Sequence, residues 1–107
     1  MITVTLNRKA ETMSLYVTGH AGFAKAGQDI VCAAASILVY TAGELALDME
    51  RRGQLRRAPV LRLKPGDAVI RFTPDPAARQ RAETALETVG YGFALLAKKY
   101  PRCIRVV

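Results

Sequence analysis

The spacing of apolar residues changes along this 107-residue chain from strict alternation to helical periodicity, and this change limits the folds available to it. Residues 2–7 and 12–18 alternate apolar and polar side chains, as half-buried strands do. The short polar link at 8–11 predicts an antiparallel hairpin. Residues 19–28, punctuated by three glycines, break both periodicities, so we expect a loop there.

A long apolar segment follows Asp29 and predicts the first helix, with Asp29 as its N-cap and an end near residues 51–53. The stretch 30–39 is apolar apart from Ser36, so we expect a largely buried helix of which only the second half is amphipathic. Two short strands are predicted at 60–63 and 68–72. The turn signal Lys-Pro-Gly-Asp joins them.

A second helix is predicted to begin with Asp75 as its cap and Pro76 at its first position. Pro101 ends this helix, and residues 103–107 supply a last strand. The apolar residues of the helix recur at spacings of four and three and define one core-facing stripe, namely Ala82, Leu86, Val89, Phe93 and Leu96.

The resulting order, β-β-α-β-β-α-β, predicts one domain over residues 1–107. Its fold class is α+β, a mainly antiparallel sheet with two helices on one face. The opposite face of the sheet is then either solvated or covered by another subunit, and we expect a homodimer.

The composition excludes several classes of protein. Two cysteines are too few for a disulfide scaffold, and no run of about 18 apolar residues is free of charges or helix breakers, so no membrane span is predicted. We expect a cytoplasmic protein with reduced thiols. The net charge of +7 suggests contact with RNA or a ribosome, although the excess is mostly scattered arginine.

The residues able to bind a metal are few. His20 is the only histidine, and Cys32 and Cys103 are the only cysteines. Structural zinc sites use four ligands and catalytic ones usually three, and these residues match no common zinc spacing, so we predict neither metal nor cofactor. Cys103 is interpreted as a small buried apolar residue.

Cys32 is either a core thiol or a nucleophile. As the third residue of the predicted helix it lies among unpaired backbone N–H groups at the positive end of the dipole, a position that favours thiolate. His20, at the end of a strand, could bring its imidazole to this sulfur and act as base and then acid. The alternative for His20 is a loop histidine with a satisfied hydrogen bond.

Two polar residues near Cys32 also have two interpretations. Asp29 either caps the helix or orients His20 as a third catalytic member; we favour the cap with a secondary catalytic influence. Ser36, one turn after Cys32, either bonds back to the carbonyl of Cys32 or lines a substrate cleft.

Gly-His-Ala at 19–21, followed by Asp-Ile-Val-Cys-Ala-Ala at 29–34, resembles the ribosomal-processing cysteine protease family called Prp. The likeness is dense across 19–36. It implies a homodimeric α+β cysteine peptidase that removes a short N-terminal extension from a large-subunit ribosomal protein, cutting after an aromatic residue. It also implies His20 and Cys32 as the catalytic pair, with Asp29 and Ser36 at matching positions.

This resemblance suggests a mechanism in which the Cys32 thiolate, assisted by His20, attacks the scissile carbonyl and water resolves the acyl-enzyme. Backbone N–H groups at the helix start could form the oxyanion hole. The loop at 19–28 is a candidate lid, with Gly19 and Phe23 as candidate cleft-lining residues; Phe23 could instead pack into the core. The alternative function is a non-catalytic basic module associated with RNA or the ribosome.

Overall fold

Five strands and two α-helices follow one another in the predicted order in the computed structural model, which describes residues 1–107. The first two strands form the predicted hairpin, and the turn between the third and fourth strands is also where the sequence placed it. The elements are β1 (Ile2–Asn7), β2 (Met13–Thr18), α1 (Ile30–Arg51), β3 (Val60–Lys64), β4 (Asp67–Phe72), α2 (Arg79–Lys99) and β5 (Ile104–Val106).

The strands form one sheet in the order β3-β4-β2-β1-β5. Every neighbouring pair is antiparallel except β1 and β5, which run parallel because α2 carries the chain across the sheet before β5 begins. The prediction of a mainly antiparallel sheet with helices on one face is therefore confirmed, and the sheet is mixed rather than purely antiparallel. Alternate strand residues on the helix side form the core with the two helices, including Val4, Met13, Leu15, Ile70 and Ile104.

The expectation that the first part of α1 is largely buried is wrong. One stripe of this helix faces the sheet, whereas Ile30, Ile37 and Tyr40 each expose more than half of their surface. An uninterrupted apolar run does not indicate which side of a helix faces the sheet, so the stripe could not be located from composition. The buried stripe consists of Val31, Ala35, Val39, Ala42, Gly43, Ala46 and Met49.

The helix α1 is also long and apolar enough to cross a membrane by length and composition, with a mean hydropathy of 1.9. One third of that apolar window is buried inside the protein, where α1 packs on β2 and β4. The unburied remainder of α1 leaves an apolar outer surface on the helix layer.

The predicted start of the second helix is also corrected. A single 3-10 turn, Pro76–Ala78, precedes α2, and the Asp75 side chain makes no capping hydrogen bond. The predicted core-facing stripe of α2 is buried as expected, with Leu96 half-buried at its end.

The glycines within α2 occupy positions where neighbouring side chains approach the helix closely. A Cβ on Gly92 would lie 2.6 Å from Leu38 Cδ2 of α1, and one on Gly90 would lie 3.0 Å from Leu6 Cδ2 of β1. Close packing against α1 and β1 therefore accounts for glycine at two positions that disfavour it by propensity.

Candidate active site

The N-terminus of α1 is fixed by the carboxylate of Asp29. Asp29 Oδ1 accepts hydrogen bonds from the N–H groups of Val31 at 3.0 Å and Cys32 at 2.9 Å, and the Ala33 N–H bonds to the Asp29 backbone carbonyl. These bonds satisfy the N–H groups that a helix start leaves unpaired. They place the Cys32 side chain in the first turn of α1.

The second oxygen of the same carboxylate holds the preceding loop. Asp29 Oδ2 accepts from the N–H groups of Phe23 at 2.9 Å and Ala24 at 3.2 Å, so one side chain joins the 19–28 loop to α1. The Cys32 N–H holds the pKa of Asp29 below its usual value against the desolvation that raises it, and the N–H groups of Ala24, Phe23 and Val31 add to this lowering. Asp29 makes no hydrogen bond to His20, and its geometry is that of a cap.

The thiol of Cys32 is half-buried and free, as is that of Cys103. Its sulfur accepts a hydrogen bond from the backbone N–H of Ala21 at 3.4 Å. Ala21 is itself buried, so this donor is sheltered from water. The residue that follows His20 therefore already contacts the thiol.

The imidazole of His20 packs against the turn between β3 and β4. A Cβ built on Gly66, whose φ is +74°, would lie 2.5 Å from His20 Nε2, and the Gly19 N–H donates to the Gly66 carbonyl at 3.0 Å. The imidazole and the Cys32 thiol are not hydrogen-bonded to each other. Catalytic hydrogen bonds commonly tighten only when substrate binds, so this separation is compatible with a working pair.

Both side chains line one cleft of about 190 Å³. Gly19 and Ser36 also line this cleft. The Ser36 hydroxyl makes no hydrogen bond within the chain, so the bond back to the Cys32 carbonyl is not formed. Phe23 does not line the cleft, because its ring packs edge-to-face on Tyr100 at a centroid distance of 5.5 Å. The structure contains no group of three or more His, Cys, Asp or Glu residues arranged to hold a metal.

Part of the cleft wall was not predicted. The β3–β4 turn at 64–67 and Leu63 at the end of β3 complete the wall, together with Tyr40, which lies further along α1 than Cys32. The Lys-Pro-Gly-Asp signal identified the turn but not its position beside His20, which depends on β4 pairing with β2. Of the suggested oxyanion donors at the start of α1, the N–H groups of Val31 and Cys32 are already bound to Asp29.

The cap geometry predicts how Asp29→Asn behaves. Because the folded-state pKa of Asp29 lies below its ordinary 3.8, the carboxylate stabilises the fold above that pH, and this contribution is lost as the pH falls through the folded pKa. The amide nitrogen of Asn cannot accept the two loop N–H groups. Thermal unfolding followed by circular dichroism should show an Asp29→Asn protein that is less stable at pH 7 and loses less stability on acidification.

The matched control is Asp75→Asn, because Asp75 precedes a helical turn without a side-chain capping bond. It should unfold as the unaltered protein does at pH 7. Equal losses of thermal stability in the two variants would show that the four hydrogen bonds of Asp29 do not stabilise the fold.

Comparisons with known proteins agree with one another. The model of the family described as Cysteine protease Prp matches residues 1–105. The ribosomal processing cysteine protease Prp of Bacillus subtilis is 29% identical over 112 residues, covering 99% of this chain and 96% of that protein.

Two solved structures share the fold. The ribosomal processing protease Prp of S. aureus with a covalently linked product peptide has a TM-score of 0.69 at 22% identity, covering 99% of this chain and 97% of that one. SMU.848 of Streptococcus mutans has a TM-score of 0.64 at 24% identity, covering 99% and 91%.

Proposed function

The chain belongs to the cysteine protease Prp family, and from that premise we propose that it is the endopeptidase that removes a short N-terminal extension from a large-subunit ribosomal protein precursor. Cys32 is the nucleophile and His20 the general base in this proposal. The observation that carries it is the placement of both side chains on one cleft, with the thiol in the first turn of α1. The name of the Bacillus subtilis relative supports the ribosomal substrate.

The reaction begins with attack of Cys32 Sγ on the scissile carbonyl carbon, while His20 takes the thiol proton. His20 then gives this proton to the leaving amine as the C–N bond breaks, leaving the N-terminal fragment as a thioester on Cys32. Water attacks the thioester with His20 again as base, and the proton returns to the departing sulfur. The S. aureus protein with a covalently linked product peptide supports a covalent route.

A backbone donor close enough to stabilise the oxyanion is the N–H of Ala21. Its nitrogen lies 3.4 Å from the sulfur, whereas the N–H groups of Val31 and Cys32 are held by Asp29. An oxyanion formed beside Sγ would be within reach of this buried donor, and one such donor contributes about 2.7–4 kcal/mol in a measured protease. Asp29 then acts by holding both the helix start and the 19–28 loop in place.

The cleft favours an apolar side chain next to the scissile bond. Ile2, Val17, Val39, Leu63 and Tyr40 supply apolar surface along its wall. This surface suits the aromatic residue that precedes the cut in the family. We place the reaction in the cytoplasm, where ribosomal proteins are made and where the two free thiols stay reduced.

The test is cleavage of a synthetic peptide that spans the N-terminus of a precursor with an aromatic residue before the expected cut. One cut after that residue is the expected result, read by mass spectrometry. A matched peptide with alanine in place of the aromatic residue should be cleaved much more slowly. Failure to cut the first peptide, or equal cutting of both, contradicts the proposal.

We also propose that a second copy of the chain docks on the helix layer. Several exposed apolar side chains lie there, with Ile30 and Ile37 on α1 and Tyr91 and Leu95 on α2, the last being 67% exposed. The sheet face turned away from the helices is mostly polar, which favours the helix layer as the dimer contact. Sedimentation equilibrium should give a dimer that Leu95→Glu converts to monomer. A monomeric unaltered protein at about 100 μM, far above a typical specific Kd, contradicts this arrangement.

A further inference from the structure

The sheet face turned away from the helices carries mostly basic and hydroxyl-bearing side chains. Strand register places its side chains in three rows that cross the sheet. The first row runs Arg105, Thr3, Thr18, Asp67, Lys64; the second runs Thr5, Tyr16, Val69, Arg62; and the third runs Asn7, Ser14, Arg71, Val60. We call this surface the open face.

Positive charge dominates the open face. It carries Arg62, Lys64, Arg71 and Arg105, all exposed, against a single carboxylate, Asp67. Arg62 Nε bonds to that carboxylate at 3.1 Å. The other three cations have no ion-pair partner; Arg105 Nε instead donates to the hydroxyl of Thr3 at 3.3 Å. Three unpaired cations therefore face solvent on one side of the sheet.

The remaining carboxylates lie elsewhere and are largely engaged. Asp48 alone binds Arg51, Arg52 and Arg81, and Glu11 binds Arg56. The charge excess inferred from composition is thus not evenly scattered. The carboxylates off the open face are Glu11, Asp29, Glu44, Asp48, Glu50, Asp75, Glu83 and Glu87.

A second cleft extends this charge beyond the end of β4. It is about 210 Å³ in volume and is lined by Arg57 and Arg71 together with the hydroxyl side chains of Thr12 and Thr73. Arg57 donates to the Thr73 hydroxyl at 3.0 Å and has no carboxylate partner. Two guanidinium groups beside two hydroxyls are suited to a phosphate group, which guanidinium forks recognise well.

From this arrangement we propose that the open face binds single-stranded RNA, with Arg57, Lys64, Arg71 and Arg105 contacting phosphates and Tyr16 offering its ring to a base. The hydroxyls of Thr3, Thr5, Ser14 and Thr18 supply donors and acceptors for sugars and base edges. Sheets that present aromatic and basic side chains on an open face are a known platform for unstacked bases. An acidic peptide could pair with the cations but has no planar base to stack on the Tyr16 ring.

The open face adjoins the proposed protease cleft. Lys64 and Asp67, at one end of the first row, also line the cleft that holds Cys32 and His20. RNA on the open face would therefore lie beside the peptide-binding cleft. Ribosomal RNA would occupy such a position if the precursor were already bound to that RNA when it is cut. The RNA-binding proposal does not depend on peptidase activity and is tested separately.

The test is fluorescence anisotropy of a labelled 20-nucleotide RNA of mixed sequence, titrated with the full chain between 50 and 300 mM KCl. The variant is Arg71→Gln/Arg105→Gln, which changes two open-face cations outside the protease cleft. The control is Lys98→Gln/Arg102→Gln, which removes the same charge from unpaired residues at the end of α2 and beyond it. Cleavage of the precursor peptide is measured in parallel.

We expect the open-face variant to bind roughly 25-fold more weakly near 0.1 M salt, with a salt slope lower by about 1.4, as loss of two phosphate contacts requires. The control should change affinity much less, and peptide cleavage should be the same in all three proteins. No binding by the unaltered chain at 0.1 M salt, equal weakening in both variants, or equally tight binding of polyglutamate would each overturn the proposal.

Discussion

Replacing Cys32 with alanine is expected to lower kcat/KM for the precursor peptide by about four orders of magnitude or more, the loss typical of removing a protease nucleophile. Ser36 also lines the cleft, but its hydroxyl is a much weaker nucleophile than a thiolate and should not replace the sulfur. Removing one half-buried sulfur should leave the thermal unfolding transition nearly unchanged. Peptide cleavage followed by mass spectrometry, with unfolding followed by circular dichroism, separates the two effects.

The matched control for this experiment is Cys103→Ala. Cys103 is the other free, half-buried thiol and lies just before β5, away from the cleft. Its removal should leave cleavage unchanged. A Cys32→Ala protein that retains a substantial share of the activity would exclude Cys32 as the nucleophile.

The second large effect is expected from Gly66→Ala. The new Cβ would lie 2.5 Å from His20 Nε2, so the imidazole must move away from the β3–β4 turn. Displacing a catalytic group by about 1 Å can cost roughly 100-fold in rate, and we expect a loss of that order in kcat/KM. Substrate binding, measured with the inactive Cys32→Ala background, should change far less.

Gly53→Ala is the matched control for Gly66→Ala. Gly53 has a similar φ of +68°, but a Cβ there meets no atom within 4 Å. The two substitutions therefore impose a similar backbone strain, and only one of them displaces the imidazole. Equal activity in the two variants would show that the position of His20 against the turn does not matter.

Much of the fold was predictable because local rules decide it. Alternation identified β1 and β2, and the cap residue with the apolar run after it identified the start of α1. The outward side of α1 was not predictable, because an unbroken apolar segment has no period to show which residues meet the sheet. The α-helix α2 starts later than predicted because the residues from Pro76 first form a 3-10 turn. The fixed φ of proline fits the first turn of either kind of helix, so the sequence did not distinguish them.

The site was predictable where its parts are close in sequence. His20, Asp29 and Cys32 lie within one loop and the helix turn that follows, so their shared location follows from chain connectivity. The wall formed by Gly66 and Leu63 depends instead on β4 pairing with β2, a long-range contact that no local pattern shows. Tyr40 lies about two turns after Cys32 on α1, so its place follows from the helix itself. The hydrogen bonds from the loop N–H groups of Phe23 and Ala24 to the second oxygen of Asp29 were not predictable from the sequence either.

The most direct measurement is the rate of iodoacetamide alkylation at Cys32 and Cys103 at pH 7, mapped by peptide mass spectrometry in the unaltered chain and in His20→Ala. An activated thiolate at the start of α1 should label roughly tenfold or more faster than Cys103, and loss of the imidazole should remove most of this difference. Equal labelling rates at the two half-buried cysteines would contradict the assignment of Cys32 and His20 as a catalytic pair. An unchanged Cys32 labelling rate in His20→Ala would contradict it as well.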